Sequence, residues 1–389
     1  MKIVYCLNSI CVLGGIGAVT CAKANALASI PDNEVYIVVT DHDESKRPPL
    51  SGVKLIDLDV NHWQNDSHSF FYAFSRIARN RMREHEKKLK SLLEELQPDV
   101  VISVGWSEKY IIPKISKGKP WVTIREYHYD RNYRFQYLRF QNNYKFSAYV
   151  RALLGTLYEK WKGRNLYDHT VILTQQDKEE NWKGEKNISV IPNPSSFYTD
   201  KHTNYNNKVA VTASRLHPVK QVDHLIEAWE TVAKQHTDWQ LHIYGDGPDE
   251  KHLEELIKSK DLSNQIILKG RSYDMATSLC SGDFFVYASA YEGFGMVLVE
   301  AMTCGLPCIS YLCPSGPKDI ISNKSDGIHV PLNNKQELGN SILYMIEHPD
   351  ILQGMGLNAL KKAEQYDVQH IATRWISLFN QLLIDKRHG

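Results

Sequence analysis

Two glutamates eight residues apart, Glu292 and Glu300, enclose the segment EGFGMVLVE, which combines acidic residues, glycines and an apolar run. Glycines at the start of a helix expose backbone N–H groups, and the helix dipole adds a positive field that favours phosphate. Glu300 falls two turns into the predicted helix, where a carboxylate can accept two hydrogen bonds from a ribose diol. The segment predicts a binding site for a phosphorylated sugar. Its candidate binding residues are Gly293, Phe294, Gly295, Met296 and Glu300, with Glu292 at the mouth of the site.

Two cations, Arg215 and Lys220, follow the predicted strand KVAVTA at 208–213. An arginine binds a diphosphate as a planar fork and a lysine binds it as a point charge, so the pair is suited to that anion. Gly245 and Gly247 end the next strand in YGDGP, where glycine lets a ligand approach the backbone closely. A solvated basic turn and a simple glycine turn are the alternatives for these two segments.

A third glycine cluster, Gly14-Gly15-Ile16-Gly17, follows the first predicted strand and opens a helix. Gly14 and Gly15 are candidate substrate-binding residues because their backbone N–H groups can approach a phosphate or a sugar. The cluster partly matches the dinucleotide-binding fingerprint, but Thr20 stands where that pattern requires glycine or alanine. A nicotinamide cofactor is therefore not expected, and a tight turn without a ligand is the alternative.

These segments need a scaffold that brings strand ends together, and the order of predicted elements supplies one. Short apolar strands alternate with amphipathic helices from residue 2 to about 191, and the alternation restarts at 208. Such alternation predicts parallel sheets wrapped by helices, with ligands at the carboxyl ends of the strands. The sequence therefore predicts an α/β chain with two doubly wound halves. A final helix, at about 367–389, is expected to pack back on one of them.

The combination of segments resembles family-4 glycosyltransferases, which are retaining enzymes with the GT-B fold. The resemblance covers the whole chain, is strongest from about 190 to 330, and includes the bacterial capsule, exopolysaccharide and O-antigen enzymes. It rests on the E-x7-E pattern of Glu292 and Glu300, with four further segments. These are VIPNP at 190–194, SRLHPVK at 214–220, YGDGP at 244–248 and CPSGPKDII at 313–321.

The resemblance implies two tandem Rossmann-like domains that face a central cleft. Residues 1–192 with the helix at 367–389 correspond to the acceptor-binding domain, and residues 193–366 correspond to the donor-binding domain. By resemblance, Arg215 and Lys220 hold the donor diphosphate, Glu292 contacts the transferred sugar and Glu300 binds the ribose. Gly14 and Gly15 would approach donor and acceptor.

One family position, a histidine near the reacting carbon, has two candidates here. The predicted strand PWVTI at 120–124 runs into Arg125-Glu126-Tyr127-His128. His128 is the preferred candidate for this catalytic position, and Glu126 is the alternative.

The sequence predicts neither a metal site nor a cofactor, so the nucleotide sugar is expected to be a substrate only. Two Asp-x-Asp strings, at 41–43 and 57–59, are interpreted as solvated acidic loops because they lie far in sequence from the donor residues. The seven cysteines lack a C-x-x-C pair and are expected to be free thiols in a reducing compartment.

Residues 131–164 contain eight Lys or Arg residues against one Glu, with tyrosines and phenylalanines among them. This pattern is typical of a helix on an anionic membrane surface, of a site for a lipid-diphosphate acceptor, or of a solvated basic face. The whole chain has a formal net charge of only +1, and no nucleic-acid-binding module is recognised. Neither a signal peptide nor a membrane-spanning segment is expected, so the predicted location is the cytoplasm, with peripheral contact to the inner face of the cell membrane as an option.

The functional expectation is a metal-independent, retaining transferase. It would move a hexose or N-acetylhexosamine from a UDP-sugar to a glycan or a polyprenyl-diphosphate-linked acceptor in surface polysaccharide biosynthesis. The alternatives are a GT-B epimerase or phosphorylase and a nucleotide-sugar-binding protein that transfers nothing.

Overall fold

The computed structural model describes residues 1–10, 15–41, 48–62, 76–139, 146–162 and 166–388. Within them lie two open sheets in which every pair of neighbouring strands is parallel. The strands are β1 (Lys2–Cys6), β2 (Glu34–Val39), β3 (Val53–Asp57), β4 (Val100–Ser103), β5 (Val122–Glu126), β6 (His169–Ile172), β7 (Ile188–Val190), β8 (Val209–Ala213), β9 (Gln240–Tyr244), β10 (Ile266–Gly270), β11 (Phe284–Tyr287), β12 (Cys308–Tyr311) and β13 (Gly327–Val330).

The first sheet has the order β3-β2-β1-β4-β5-β6-β7, and the second has the order β10-β9-β8-β11-β12-β13. In each sheet the chain moves from a central strand to one edge and then returns to build the other, which is the doubly wound arrangement. This confirms the predicted α/β fold with two Rossmann-like halves. β13 was not predicted, because its four residues GIHV contain no continuous apolar run.

Helices cover both sheets and leave the strands buried, which is why the strands read as apolar runs in the sequence. Ile3, Val4 and Tyr5 of β1, for example, are completely buried. The helices are α1 (Gly15–Ala28), α2 (Arg76–Leu96), α3 (Ile111–Ile115), α4 (Tyr133–Arg139), α5 (Phe146–Lys162), α6 (Gln175–Asn181), α7 (Val222–Ala233), α8 (Glu250–Ser259), α9 (Met275–Cys280), α10 (Met296–Thr303), α11 (Pro317–Ile320), α12 (Lys335–Glu347), α13 (Pro349–Ala363) and α14 (Val368–His388).

The last helix, α14, leaves the second sheet and packs against α1 of the first, as predicted for the C-terminal segment. Trp375 and Phe379 are buried in the core of the first sheet, and the Lys23 ammonium lies 5.2 Å from the centre of the Trp375 ring. The chain therefore crosses between the sheets twice. The two crossings touch each other, because the Ser195 N–H donates to the Tyr366 carbonyl at 2.9 Å. The division at residues 192 and 193 stays a prediction.

The ends of β8 and β9 are held together by backbone contacts. The Ser214 N–H donates to the Tyr244 carbonyl at 3.0 Å, and the Leu216 N–H donates to the Asp246 carbonyl at 2.8 Å. Gly245 has a φ of +136°, and a Cβ there would lie 1.8 Å from the Ser214 carbonyl oxygen. Gly247 has the same role beside Leu216, where a Cβ would lie 2.2 Å from the carbonyl oxygen. These glycines were predicted to let a ligand approach the backbone. In the structure they allow the loops after β8 and β9 to pack closely against each other.

Replacing Gly245 by Ala should lower the free energy of unfolding by at least about 2 kcal/mol, because a strained φ and an overpacked contact each cost about 1–3 kcal/mol. Gly354→Ala is the matched control. Gly354 lies inside α13, and a Cβ there has no atom within 4 Å. Alanine at this helical position should raise stability by about 0.5–1 kcal/mol. Urea unfolding of both variants measures the difference, and equal stability of Gly245→Ala and the parent would contradict this account.

Candidate active site

The loops that follow β8 and β11 meet at the carboxyl edge of the second sheet. The Ala290 N–H donates to the Val219 carbonyl at 2.8 Å, and this bond brings the turn that contains Lys220 beside the loop that contains Glu292. The Lys220 ammonium contacts the Glu292 carboxylate and lies 2.9 Å from the Tyr287 hydroxyl. That hydroxyl donates to Glu292 at 2.5 Å. We refer to Lys220, Tyr287 and Glu292 as the donor triad.

The donor triad keeps its cation charged. Burial alone would lower the pKa of Lys220, but the Glu292 carboxylate and the Tyr287 hydroxyl raise it well above its usual range. Burial and the Glu292 carboxylate raise the pKa of Tyr287, so the phenol stays protonated as a donor. The sequence nominated Lys220 and Glu292 separately, and the structure brings them into contact. It did not nominate Tyr287, whose signal was its position at the end of an apolar strand.

Arg215 follows β8 directly, and its side chain is exposed. It belongs to the same loop as Lys220, whose side chain is largely covered. The loop therefore presents one cation to solvent and holds the other against a carboxylate.

Glu300 lies on α10, the helix that follows the loop containing Glu292. Its carboxylate accepts a hydrogen bond of 2.7 Å from the Ser196 hydroxyl, which belongs to the first crossing between the sheets. Burial raises the pKa of Glu300, and the hydrogen bond from Ser196 partly opposes this. Ser196 was not predicted as a site residue, because Glu300, which accepts its hydrogen bond, is 104 residues away in the sequence.

The glycines around α10 set the shape of the loop. Gly295 precedes the helix with a φ of +95°, a left-handed conformation that favours glycine. The Phe294 side chain is only 4% exposed and meets the Tyr366 ring at a centroid distance of 6.0 Å. Phe294 was a candidate for substrate contact, but its side chain packs in the core. Met296, the first residue of α10, is partly buried.

Gly293 brings the two halves of the chain together. A Cβ at this residue would lie 2.4 Å from the carbonyl oxygen of His128 and 3.4 Å from the Cα of Tyr129. The segment after β5 in the first sheet therefore lies directly against the loop between β11 and α10, residues 288–295, which we call the donor loop. Both candidates for the histidine position are near this contact, since the His128 ring Nε2 lies 3.2 Å from the Glu126 carboxylate.

Glu126, His128 and Lys23 form a buried cluster behind this contact. Burial alone would raise the pKa of Glu126, but Lys23 and His128 lower it to about 2. Burial lowers the pKa of His128, although Glu126 opposes this shift. The cluster therefore contains an ionised carboxylate and a neutral imidazole at pH 7. His128 touches the donor loop through its backbone, and Glu126 lies one layer behind.

The remaining candidates lie elsewhere or outside the described residues. Gly15 is the first residue of α1, with open space where a Cβ would be, and Gly14 lies outside the described residues. Asp43 of the first Asp-x-Asp string also lies outside them, whereas Asp57 accepts a hydrogen bond from the Asp59 N–H at 2.7 Å. In the described part of the chain, no group of three His, Cys, Asp or Glu residues is arranged to hold a metal ion.

Asp130 is a buried carboxyl that the sequence analysis did not nominate, two residues beyond His128. Burial, with a further contribution from the nearby Asp177 carboxylate, raises its pKa to about 7. Asp130 faces Tyr291 of the donor loop, and burial together with the Asp130 carboxylate raises the pKa of that tyrosine. The contact between the two halves therefore contains a group that titrates near neutral pH.

Asp130→Asn should be more stable than the parent at pH 8, and the difference should shrink towards pH 4. An aspartate titrates near pH 3.9 when unfolded, so its raised pKa in the fold gives stability that is full below about pH 4 and lost as the pH rises to about 7. Asparagine does not ionise, so the variant does not lose this stability as the pH rises. Thermal unfolding of the variant and the parent from pH 4 to pH 8 measures the difference in stability, with Asp200→Asn, at an exposed aspartate, as control. Parallel curves for Asp130→Asn and the parent would contradict the assignment.

Comparison with known proteins shows what the part of the chain that contains this site is similar to. Residues 197–362, which include the donor triad and Glu300, match the family model described as glycosyl transferases group 1. An uncharacterised glycosyltransferase of Haemophilus influenzae is 26% identical over 80% of this chain and 86% of its own. The poly(ribitol-phosphate) alpha-N-acetylglucosaminyltransferase of Staphylococcus aureus is 29% identical over 54% of this chain, a match that spans 41% of that longer relative.

The fold has solved counterparts. A crystal structure of an S. aureus TarM mutant, in complex with UDP, fondaparinux and an alpha-GlcNAc-glycerol, superposes with a TM-score of 0.71 at 16% identity. The alignment covers 97% of this chain and 99% of that one. At this level of identity the likeness concerns the fold, which is that of the GT-B glycosyltransferases. Residues 197–362 therefore resemble the group 1 glycosyl transferases, and the fold is that of the GT-B glycosyltransferases.

Proposed function

We propose that the protein is a retaining glycosyltransferase. It moves a hexose or an N-acetylhexosamine from a UDP-sugar to a glycan or lipid-linked acceptor in surface polysaccharide biosynthesis. The observation that carries the proposal is the donor triad at the carboxyl edge of the second sheet, with exposed Arg215 on the same loop and Glu300 on the adjoining helix. Ligands of doubly wound sheets bind at this edge.

Leaving-group stabilisation in this proposal comes from the chain's own positive groups. The departing nucleoside diphosphate gains negative charge as its bond to the sugar breaks. Arg215 binds this charge as a fork, Lys220 supplies a fixed ammonium, and the first N–H groups of α10 add the positive end of a helix dipole. No cofactor has a role in this scheme, and the nucleotide sugar is consumed as a substrate.

The sugar develops positive, oxocarbenium-like character at the same time. The His128 carbonyl oxygen lies against Gly293, next to Glu292, so a partial negative charge is fixed beside the expected position of the sugar. Glu292 accepts hydrogen bonds from the sugar hydroxyls. Glu300 accepts hydrogen bonds from the ribose hydroxyls, which replace the hydrogen bond from Ser196. The acceptor hydroxyl attacks the face that the diphosphate leaves, its proton passes to the departing diphosphate, and the configuration at the sugar carbon is retained.

The relatives support a UDP-linked donor and a retaining reaction. The S. aureus relative is named for the transfer of alpha-N-acetylglucosamine to poly(ribitol phosphate), and the TarM complex contains UDP. An α linkage is the product expected when an α-linked nucleotide sugar reacts with retention. These facts make UDP-N-acetylglucosamine and UDP-hexoses the first donors to test.

Replacing Glu292 or Arg215 by Ala should each lower transfer about 10²–10³-fold, as expected for loss of one contact that acts in the transition state. The assay follows UDP release and product mass with UDP-, GDP-, ADP- and dTDP-sugars. Thermal shifts report donor binding. The control is Glu255→Ala, at an exposed carboxylate of α8. Parent-like transfer in both site variants would overturn the proposal. UDP binding without any product would favour a non-transferring binding protein, and turnover without an acceptor would favour an epimerase.

The proposal includes peripheral contact with a membrane through α5. Phe146, Leu153, Leu154 and Leu157 are between 40% and 80% exposed on one face of this helix, whereas Ala152 and Thr156 are buried on the other. Among the helices of the described residues, none combines the length and the apolarity needed to span a bilayer. A helix with one apolar exposed face is suited to lie at the membrane interface.

The structure changes the expected source of this contact. The sequence favoured the basic residues of 131–164, but Arg131 is paired with Glu185 and Arg134 with Glu159. These two charges are satisfied within the protein. The apolar face of α5 therefore supplies more of the proposed attraction than the sequence suggested.

Changing Leu154 and Leu157 together to Ser should reduce binding to anionic phosphatidylglycerol vesicles at least about 10-fold. Each leucine buried in the interface contributes about 1.5–3 kcal/mol, and serine loses it. Vesicle flotation measures the partition. The control is Leu357→Ser, at a leucine of α13 that is 57% exposed. Equal flotation of the double variant and the parent would remove α5 from the proposal.

A further inference from the structure

Three aromatic rings form a continuous surface beside the donor loop. The Tyr133 ring lies 5.5 Å from the Trp106 ring and 5.5 Å from the Tyr129 ring, measured between centroids. Trp106 is 41% exposed and Tyr129 is 40% exposed. We call Trp106, Tyr129 and Tyr133 the aromatic platform. The motifs of the sequence did not indicate it, because Trp106 lies in the loop after β4, whereas Tyr129 and Tyr133 lie after β5 and at the start of α4.

The fold puts the aromatic platform at the carboxyl edge of the first sheet. Trp106 follows β4 and Tyr129 follows β5, and these two strands are neighbours. The Cα of Tyr129 lies 3.4 Å from the position of a Cβ on Gly293. The backbone of Tyr129, one member of the platform, therefore lies against the donor loop next to Glu292.

Charged side chains hold the rings in place. The Arg134 Nε donates to the Tyr133 hydroxyl at 3.1 Å, and the Lys109 ammonium lies 5.5 Å from the centre of the Trp106 ring. Glu159 accepts hydrogen bonds from both cations, at 2.8 Å from Lys109 and 2.9 Å from Arg134. Burial raises the pKa of Tyr129 and Tyr133, so both phenols keep their protons and can donate. The platform is thus a fixed surface with a polar rim.

Half-exposed rings with this support fit a sugar better than a hydrocarbon chain. The face of an aromatic ring carries negative charge, and it attracts the C–H groups on the less polar face of a pyranose. The hydroxyl edge of the same sugar needs polar partners, which the phenols and the charged rim provide. A hydrocarbon chain needs no such partners, and the leucine face of α5 suits it better.

We infer that the aromatic platform binds a saccharide unit of the acceptor and holds it beside the donor loop. This inference rests on the proposed function and defines its acceptor: the group next to the transfer site is a sugar ring, whatever carries it further along. Tyr129 holds the unit nearest the transferred sugar, and Trp106 holds the unit or ring face beyond it.

The test uses methyl glycosides of glucose, galactose and N-acetylglucosamine as probes, observed by saturation-transfer difference NMR with the full-length protein. The expected result is transfer to the C–H protons of at least one probe, with affinity about 10-fold weaker in Trp106→Ala and in Tyr129→Ala. Trp106→Phe should recover part of the affinity because it restores a ring face. The matched control is Tyr344→Ala, since Tyr344 is 39% exposed on α12, outside the platform, and should bind the probes like the parent.

Three outcomes would overturn the inference. They are an absence of saturation transfer with every probe, equal binding by the parent and both platform variants, or displacement of the glycosides by farnesyl phosphate at the platform. A thermal shift with UDP checks that each variant retains a folded donor domain. Transfer activity that persists with an unchanged acceptor KM in Trp106→Ala would reject the platform and leave the proposed function intact. Glycoside binding without any transfer would support the platform and reject the proposed transferase function.

Discussion

The contact between Lys220 and Glu292 is the interaction around which the candidate site is built. Two charges removed from water cost several kcal/mol unless they face each other and have further hydrogen bonds. The Tyr287 hydroxyl provides such a bond, and the backbone bond between Ala290 and Val219 fixes the distance between the two loops. The ammonium is therefore in place before any ligand arrives. In the proposed function, an anionic ligand gains this charge by displacing or sharing the carboxylate.

Close backbone packing makes this arrangement possible. Gly245 and Gly247 let the loops after β8 and β9 touch, and Gly293 lets the donor loop touch the segment after β5. A side chain at any of these residues would separate elements that the site needs in contact. The glycines of these segments thus allow close packing between loops of the protein, in addition to any contact with a ligand.

The sequence predicted the parts of the fold and site that local patterns encode. Continuous apolar runs indicated nearly every strand, and the spacing of Glu292 and Glu300 predicted that one precedes α10 and the other lies on it. Contacts between distant segments left no such pattern. Ser196 meets Glu300 across 104 residues, and Arg134 meets Glu159 across 25, so a basic charge that the sequence left free is paired in the fold. The aromatic platform was not predicted for the same reason.

The two crossings between the domains have a mechanical consequence. The chain enters the second domain near Ser195 and leaves it near Tyr366, and a single hydrogen bond joins these two points. Because the two tethers meet at one place, that place is the point about which the second domain can rotate relative to the first. Such a rotation widens or narrows the space between Glu292 and the first domain while both sheets stay intact. Ser196 is next to that place and donates to Glu300, so a ligand that replaced this bond at Glu300 would also change a contact at the hinge.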